Sequence, residues 1–152
     1  MNKAVFFDRD GTIIKDKGHL YKPEEIEFIV GIPELIRKYN QENYLVIVVT
    51  NQAGIAKGFF TETDMHFFHQ VLNERLKDEY GAHIDAFYFC PHHPDYTGDC
   101  DCRKPKTGMI EKAIKDFDID VNQSVLYGDQ PWDIEAGKKC GIKSQYVSDT
   151  FL

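Results

Sequence analysis

The sequence lacks the features that mark membrane, secreted and nucleic-acid-coating proteins. No apolar run approaches the roughly 18 residues of a membrane span, and Met1-Asn2-Lys3 leads into a short apolar run without a signal-peptide pattern. Basic residues are outnumbered 18 to 25, and the net charge of -7 disfavours a broad nucleic-acid surface. Internal repeats and linkers are also missing. We therefore expect one cytoplasmic, monomeric domain over residues 1–152, with neither a membrane nor a nucleic acid as its partner.

Cysteine is scarce and unevenly placed, since three of the four cysteines lie between residues 90 and 102. In a cytoplasmic protein such a cluster indicates metal binding rather than disulfides. Cys90 and His92 form one close pair, Cys100 and Cys102 form a second, and a turn-rich loop separates them. Four such side chains predict a tetrahedral structural Zn²⁺ site that holds a loop with few apolar residues. His93 is the competing ligand, and the spacing favours His92.

Short apolar runs alternate with patterns of helical period along the chain. The expected strands are Ala4–Phe7, Tyr44–Val49, Ala86–Phe89, Val125–Tyr127 and, weakly, Gln145–Val147. The expected helices are Ile32–Tyr39, Glu62–Tyr80, Gly108–Phe117 and Asp133–Cys140. This alternation predicts an α/β fold, a Rossmann-like doubly wound parallel sheet covered on both faces. Two segments do not fit: Ile13–Val30, expected to form a hairpin-like flap, and Cys90–Pro105, the metal loop.

Polar side chains follow each of the first four apolar runs. These ends are Asp8-Arg9-Asp10, Thr50-Asn51-Gln52, Cys90-Pro91-His92 and Gly128-Asp129. Parallel strands bring their carboxyl ends to one edge of the sheet, where open α/β sheets bind ligands. A single Asp-x-Asp followed by Gly is more often a solvated turn. Four strands whose carboxyl ends carry reactive side chains at the same edge of the sheet nevertheless indicate a functional site.

The carboxylates among these ends suit phosphate chemistry. Asp8, Asp10 and Asp129 offer the oxygen ligands that Mg²⁺ prefers. A cation there would let one carboxylate attack a phosphate and form an aspartyl-phosphate, while the second protonates the leaving oxygen and later activates water. Thr50 is a candidate for binding a phosphoryl oxygen, and Arg103-Lys104 supplies the opposing positive charge.

In order and spacing, these residues resemble the four motifs of the haloacid dehalogenase superfamily of phosphatases. The motifs are Asp8-Arg9-Asp10-Gly11-Thr12, Val48-Val49-Thr50-Asn51, Lys104 and Gly128-Asp129-x-x-x-Asp133. The resemblance implies a haloacid dehalogenase-like fold with Asp8 as nucleophile and Asp10 as general acid/base. It also implies that Thr50 and Lys104 hold the phosphoryl group. Mg²⁺ would be held by Asp8, the backbone carbonyl of Asp10, and Asp129.

The metal loop narrows the resemblance to one branch of that superfamily. Cys90-Pro91-His92-His93-Pro94 and Cys100-Asp101-Cys102-Arg103-Lys104-Pro105 resemble the loop of heptose 1,7-bisphosphate phosphatases and related histidinol-phosphate phosphatases. This implies a capless enzyme that removes the C7 phosphate of D-glycero-D-manno-heptose 1,7-bisphosphate, in the carbohydrate metabolism that supplies surface glycoconjugates such as lipopolysaccharide. Asn51, Arg103 and Lys104 are the expected substrate contacts. Gln130 departs from the branch, which often has Lys there.

Other functions remain open at this stage. Histidinol phosphate or another small sugar phosphate is the alternative substrate. A protein of a different class, a zinc-loop interaction module without catalysis, is disfavoured by the complete set of carboxylates. Arg9 and Lys57 are expected to be solvated charges rather than contacts to a distant phosphate.

Overall fold

Five parallel strands form the centre of the molecule in this computed structural model, which describes residues 1–150. The strands are β1 (Ala4–Phe7), β2 (Leu45–Asn51), β3 (Ala86–Cys90), β4 (Val125–Gly128) and β5 (Lys143–Tyr146). They are ordered β3-β2-β1-β4-β5. All four residues of β1 are fully buried, as expected for a central strand covered on both faces. The predicted α/β parallel sheet is confirmed.

Helices cover both faces of this sheet. They are α1 (Ile32–Gln41), α2 (Glu62–Tyr80), α3 (Pro94–Thr97), α4 (Gly108–Phe117) and α5 (Pro131–Lys139), with single 3₁₀ turns at Pro23–Glu25, Val121–Gln123 and Val147–Asp149. Residues of α1 and α2 pack in one apolar cluster with one side of the sheet, and residues of α4 and α5 pack in a second cluster. Within residues 1–150, each helix is too short or too polar to cross a membrane.

The ends of the helices follow from their capping residues. Thr61 and Asp64 form a capping box at the start of α2, and Gly81 ends that helix in the left-handed conformation. Helix α5 begins at Pro131, two residues earlier than predicted, because proline suits the first helical turn and Asp133 Oδ2 accepts from the Gln130 N–H at 3.1 Å. The short helix α3 was not predicted, since four residues are too few to produce a helical pattern.

The last strand differs most from its prediction. Strand β5 runs over Lys143–Tyr146 rather than Gln145–Val147. Within residues 1–150 it lies at the edge of the sheet and pairs only with β4, so backbone pairing defines it more than burial does. Its side chains are polar and partly exposed, which is why apolar patterning placed it poorly.

Residues 13–30 form the predicted hairpin-like structure, called the flap below. Ile14 bridges Phe28 in antiparallel fashion, and the Ile29 N–H donates to the carbonyl of Ile13 at 2.9 Å. Leu20 and Ile26 are buried and fix the flap to the core. The flap therefore rests over the end of β1, where the two aspartates emerge.

Candidate active site

A pocket of about 350 Å³ opens at the carboxyl ends of β1, β2 and β4. The strand ends contribute Asp8, Asp10, Asn51, Gln52 and Asp129. The surrounding loops contribute Asp16, Gly18, His19, Ala53, Lys57, His93, Arg103, Lys104, Gln130 and Trp132. Most of these side chains are polar or charged, so the pocket suits a small, anionic and hydrogen-bonding ligand better than an apolar one.

Three carboxylates lie close together here, and two of them, Asp8 and Asp129, line the pocket. One oxygen from each of Asp8, Asp129 and Asp133 lies within 4.8 Å of the others. Burial raises the pKa of the Asp8 carboxyl well above its usual value, Asp133 raises it further, and Lys104 opposes the shift. A site that must keep Asp8 ionised therefore needs more positive charge than Lys104 alone provides.

The buried ammonium group of Lys104 is fully engaged. Its Nζ donates to the Val49 carbonyl at 2.8 Å and to Asp8 Oδ1 at 2.9 Å, and it lies 2.6 Å from Asp133 Oδ1. Burial alone lowers the pKa of Lys104, but the charges of Asp8 and Asp133 outweigh burial and raise it. Lys104 thus stays charged and fixes the orientation of the Asp8 carboxylate.

The oxygen-only ligand set fits Mg²⁺. Asp8 and Asp129 are the better ligands, because they line the pocket and Asp133 is buried at 1% exposure. Asp133 Oδ1 pairs with Lys104, and its Oδ2 accepts from the backbone N–H groups of Asp129 and Gln130 at 3.2 and 3.1 Å. The Gln130 side chain donates to Asp129 Oδ2 at 3.2 Å. Gln130 therefore orients a carboxylate of the site, a role that its sequence position did not reveal.

Gly11 makes room for Asp129. Its φ of +85° is left-handed, and a Cβ at this position would overlap the Asp129 carboxylate. We expect Gly11→Ala to displace Asp129 and to reduce kcat/KM by about 100-fold, the usual cost of moving a catalytic group by about 1 Å. The measurement is steady-state phosphate release.

Gly58→Ala is the matched control for this substitution. Gly58 has a φ of +79°, but nothing lies within 4 Å of the position of an added Cβ. Both variants carry the left-handed strain of about 1 kcal/mol, and only Gly11→Ala disturbs a carboxylate. Equal losses of activity in the two variants would show that backbone strain, rather than the displacement of Asp129, explains the effect.

The end of β2 supplies two further polar groups. Thr50 is 1% exposed and is not among the residues that line the pocket. Its Oγ1 accepts from Gln52 Nε2 at 2.8 Å, and within residues 1–150 its hydroxyl hydrogen has no acceptor and can be donated. The Asn51 side chain accepts from the Lys104 N–H at 3.0 Å and donates to the Lys104 carbonyl at 3.4 Å. Asn51 lines the pocket, but its amide is already used to hold the backbone of Lys104.

Arg9 corrects the sequence-based expectation. The residue was expected to be a solvated charge, yet it is 1% exposed. Its Nε and Nη2 donate to the two carboxylate oxygens of Asp10 at 3.0 and 3.1 Å. The other residue of that expectation, Lys57, lines the pocket and is half-buried. The contacts of Arg9 and Gln52 with Asp10 were not predicted from the sequence. The one available indication was that Arg9 lies between Asp8 and Asp10 and that Gln52 follows Thr50-Asn51.

The predicted zinc ligands also lie together. Cys90 Sγ is 3.6 Å from both His92 Nδ1 and Cys100 Sγ, and His92 Nδ1 is 3.4 Å from Cys102 Sγ. A tetrahedral Zn²⁺ with its usual bond lengths separates such ligand atoms by about 3.6–3.8 Å. The donor set and its spacing therefore fit zinc. His93 lies outside this cluster: its ring caps α3 by accepting from the Asp95 N–H at 3.1 Å.

The cluster is connected directly to the active-site lysine. Cys90 is the last residue of β3 and pairs in register with Asn51 of β2. The loop then returns to Asn51, which binds the backbone of Lys104, two residues after Cys102. Arg103 lies between them and lines the pocket. The metal loop thus determines where Lys104 and Arg103 are placed.

Comparison with known proteins gives consistent matches. Residues 3–146 match the protein family described as polynucleotide kinase 3 phosphatase. The D-glycero-beta-D-manno-heptose-1,7-bisphosphate 7-phosphatase of Haemophilus ducreyi is 40% identical over 152 residues, covering 97% of this chain and 84% of that protein. The D-glycero-alpha-D-manno-heptose-1,7-bisphosphate 7-phosphatase of Campylobacter jejuni is 43% identical over 142 residues, covering 92% and 78%.

A solved structure agrees with these relatives. The D,D-heptose 1,7-bisphosphate phosphatase from B. bronchiseptica, complexed with magnesium and phosphate, superposes with a TM-score of 0.85. The two proteins are 31% identical, and the match covers 93% of this chain and 78% of that one. The similarity thus extends through nearly the whole sheet and its strand ends.

Proposed function

Because this chain belongs to the polynucleotide kinase 3 phosphatase family, within the haloacid dehalogenase superfamily of phosphatases, we propose that it removes the C7 phosphate of D-glycero-D-manno-heptose 1,7-bisphosphate with the help of Mg²⁺. The chain is a phosphatase. Identities of about 40% with enzymes named for this substrate support the choice of sugar. The observation that carries the proposal is the meeting of Asp8, Asp10, Lys104 and Asp129 in one pocket.

Asp8 is the nucleophile in this proposal. Its carboxylate oxygen attacks phosphorus, and the bond between phosphorus and the sugar oxygen breaks. The contact between Lys104 Nζ and Asp8 Oδ1 at 2.9 Å holds the carboxylate in one orientation. The products of this half-reaction are the sugar 1-phosphate, with a free hydroxyl at C7, and an acyl phosphate on Asp8.

Asp10 moves the protons in both half-reactions. It first gives a proton to the departing sugar oxygen and then, as a carboxylate, takes one from the water that attacks the acyl phosphate. That second attack breaks the bond between phosphorus and Asp8, releases inorganic phosphate, and returns both aspartates to their starting states. Arg9 and Gln52 hold the Asp10 side chain at the edge of the pocket.

Positive charge and hydrogen-bond donors hold the transferred phosphoryl group. Lys104 provides a fixed positive charge beside Asp8, the hydroxyl hydrogen of Thr50 is the donor, and Arg103 provides a further cation at the pocket wall. Mg²⁺, when bound by Asp8, Asp129 and the Asp10 carbonyl, would neutralise phosphate charge and allow two anions to approach each other. Zn²⁺ would serve a structural purpose in the loop that carries Arg103 and Lys104, since its four positions are filled by protein.

Substrate choice is tested by a turnover assay with purified protein. We expect the highest kcat/KM on heptose 1,7-bisphosphate, and both anomers should be tested because the relatives are named for different ones. Histidinol phosphate and glucose 6-phosphate are the comparison substrates. A preference for histidinol phosphate would replace the proposed substrate, and the absence of phosphate release from every monoester would reject catalysis.

Magnesium dependence is a separate prediction. We expect treatment with EDTA to abolish turnover and added Mg²⁺ to restore it, because Asp8, Asp129 and Asp133 lie within 4.8 Å of one another and Lys104 pairs with only Asp8 and Asp133. Ca²⁺ should restore much less activity, since its larger and more flexible coordination suits the site poorly. Full activity after removal of all divalent cations would contradict the prediction.

A further inference from the structure

Arg9 is a buried charge that needs an explanation. Its side chain is 1% exposed, and burying a guanidinium group is strongly unfavourable unless hydrogen bonds and an opposite charge compensate. The reactive carboxylates of the site lie on both sides of it in sequence, at Asp8 and Asp10. The contacts of the guanidinium group show what it does there.

The guanidinium group joins three parts of the protein. Two of its nitrogens form a fork with the Asp10 carboxylate, and Nη2 also donates to the Leu20 carbonyl of the flap at 2.9 Å. Nη1 lies 3.1 Å from His69 Nε2 on α2, and the charge stands 4.5 Å from the centre of the Phe68 ring. Arg9 therefore fixes Asp10 relative to both the flap and α2.

His69 completes this arrangement as a neutral acceptor. Burial lowers the pKa of His69 to about 2, and the charges of Arg9 and His66 contribute. The neutral ring can accept the Nη1 hydrogen at Nε2, which places its own hydrogen on Nδ1. Within residues 1–150, this buried Nδ1 has no hydrogen-bond partner, which destabilises the folded protein. A contribution to stability therefore does not explain the contact between His69 and Arg9. A role of His69 in holding the Arg9 side chain in place does explain it.

The contacts of Asp10 distinguish its two oxygens. Oδ2 accepts from Arg9 Nε at 3.0 Å and from Gln52 Nε2 at 3.1 Å, which fills both of its lone pairs. Among the described residues, Oδ1 accepts a single hydrogen, from Arg9 Nη2 at 3.1 Å. One lone pair of Oδ1 is therefore left for the proton that the reaction moves.

We propose that Arg9, supported by His69, is a positioning residue that fixes Asp10 so that Oδ1 exchanges the proton with the sugar oxygen and then with water. This inference rests on the proposed function, because it assumes that Asp10 is the general acid/base. Arg9 touches neither the substrate nor the metal in this proposal and acts through Asp10. Because Arg9 also donates to the Leu20 carbonyl, the orientation of Asp10 depends on the position of the flap.

Comparing two leaving groups distinguishes a positioning role of Arg9 from a purely structural one. A sugar alkoxide must be protonated as it leaves, whereas p-nitrophenolate leaves readily as an anion and needs no acid. In Arg9→Met we expect kcat on heptose bisphosphate to fall about 100-fold with little change in KM. The first-turnover burst of p-nitrophenol from p-nitrophenyl phosphate should remain close to that of the wild type.

Arg9→Lys keeps the buried charge but cannot donate two hydrogen bonds to the Asp10 carboxylate. It therefore tests the positioning role if Arg9→Met does not fold. We expect Arg9→Lys to show the same dependence on the leaving group, with a smaller loss. The double variant Arg9→Met/Asp10→Asn should lose no more activity than Asp10→Asn alone, because two residues that act as a unit are not additive. In the Arg9→Lys background, the corresponding double variant gives the same comparison.

Two outcomes would overturn the inference while leaving the proposed function intact. One is a folded Arg9 variant that loses equal activity on both leaving groups, or none on either. The other is a double variant whose losses simply add. Failure of the proposed function gives a different result, because wild-type protein would then release no phosphate from any substrate.

Discussion

Asp8→Asn is expected to abolish phosphate release, with kcat falling by about 10⁴-fold or more, as when other covalent nucleophiles are removed. The amide nitrogen of asparagine cannot attack phosphorus to form an acyl phosphate. The amide oxygen can still accept the hydrogen bond that Lys104 now donates to Asp8, and Lys104 keeps its contact with Asp133. The melting temperature should therefore stay within about 4 °C of the wild-type value.

Two measurements check this result. Phosphate release gives kcat, and an acid quench with radiolabelled substrate should trap phosphate on the wild-type protein and none on Asp8→Asn. Asp116→Asn provides the matched control, because the same chemical change is made on an exposed carboxylate of α4 outside the pocket. Turnover retained by Asp8→Asn, or phosphate trapped on it, would remove the nucleophile assignment.

The strand ends explain why so much of the site was predictable. Asp8 and Asp129 follow short apolar runs, and parallel strands must bring their carboxyl ends to one edge. Once β1 and β4 are neighbours, two carboxylates separated by more than a hundred residues lie in one pocket. The closeness of the side chains within the pairs Cys90–His92 and Cys100–Cys102 was predictable for a simpler reason, since residues two positions apart in sequence cannot lie far from each other.

Contacts that depend on the packing of a helix were not predictable. Arg9 meets His69 across 60 positions of sequence, and no spacing rule connects a strand end with the face of α2 that packs on it. Asn51 shows a second limit: a polar side chain at a strand end can bind a ligand or the protein backbone, and the sequence does not distinguish them. Here its amide holds Lys104.

The zinc site is expected to control both stability and activity, although it lies outside the chemistry. Cys102→Ser removes one of the four ligands, and Cys102 Sγ lies 3.4 Å from His92 Nδ1 in the cluster. Without the metal the loop has few buried apolar residues to hold it, so coordination takes the place of a core. We expect wild-type protein to retain about one zinc per chain after dialysis and Cys102→Ser to lose it.

The loss of zinc should extend to the active site through Lys104. A loosened loop withdraws the ammonium group from Asp8 and Asp133, leaving two buried carboxylates without their counter-charge. We expect Cys102→Ser to lower kcat/KM by about 100-fold and to lower the melting temperature by more than about 5 °C. Elemental analysis, calorimetry and phosphate release measure the three effects on one preparation.

Cys140→Ser separates the role of the site from the loss of a thiol. Cys140 is half-buried beside α5, outside the cluster, and the substitution is chemically the same. It should keep about one zinc per chain and near-wild-type activity. If Cys102→Ser instead retains both zinc and full turnover, the metal does not position Lys104, and the hydrogen bonds from Asn51 to the Lys104 backbone must be sufficient by themselves.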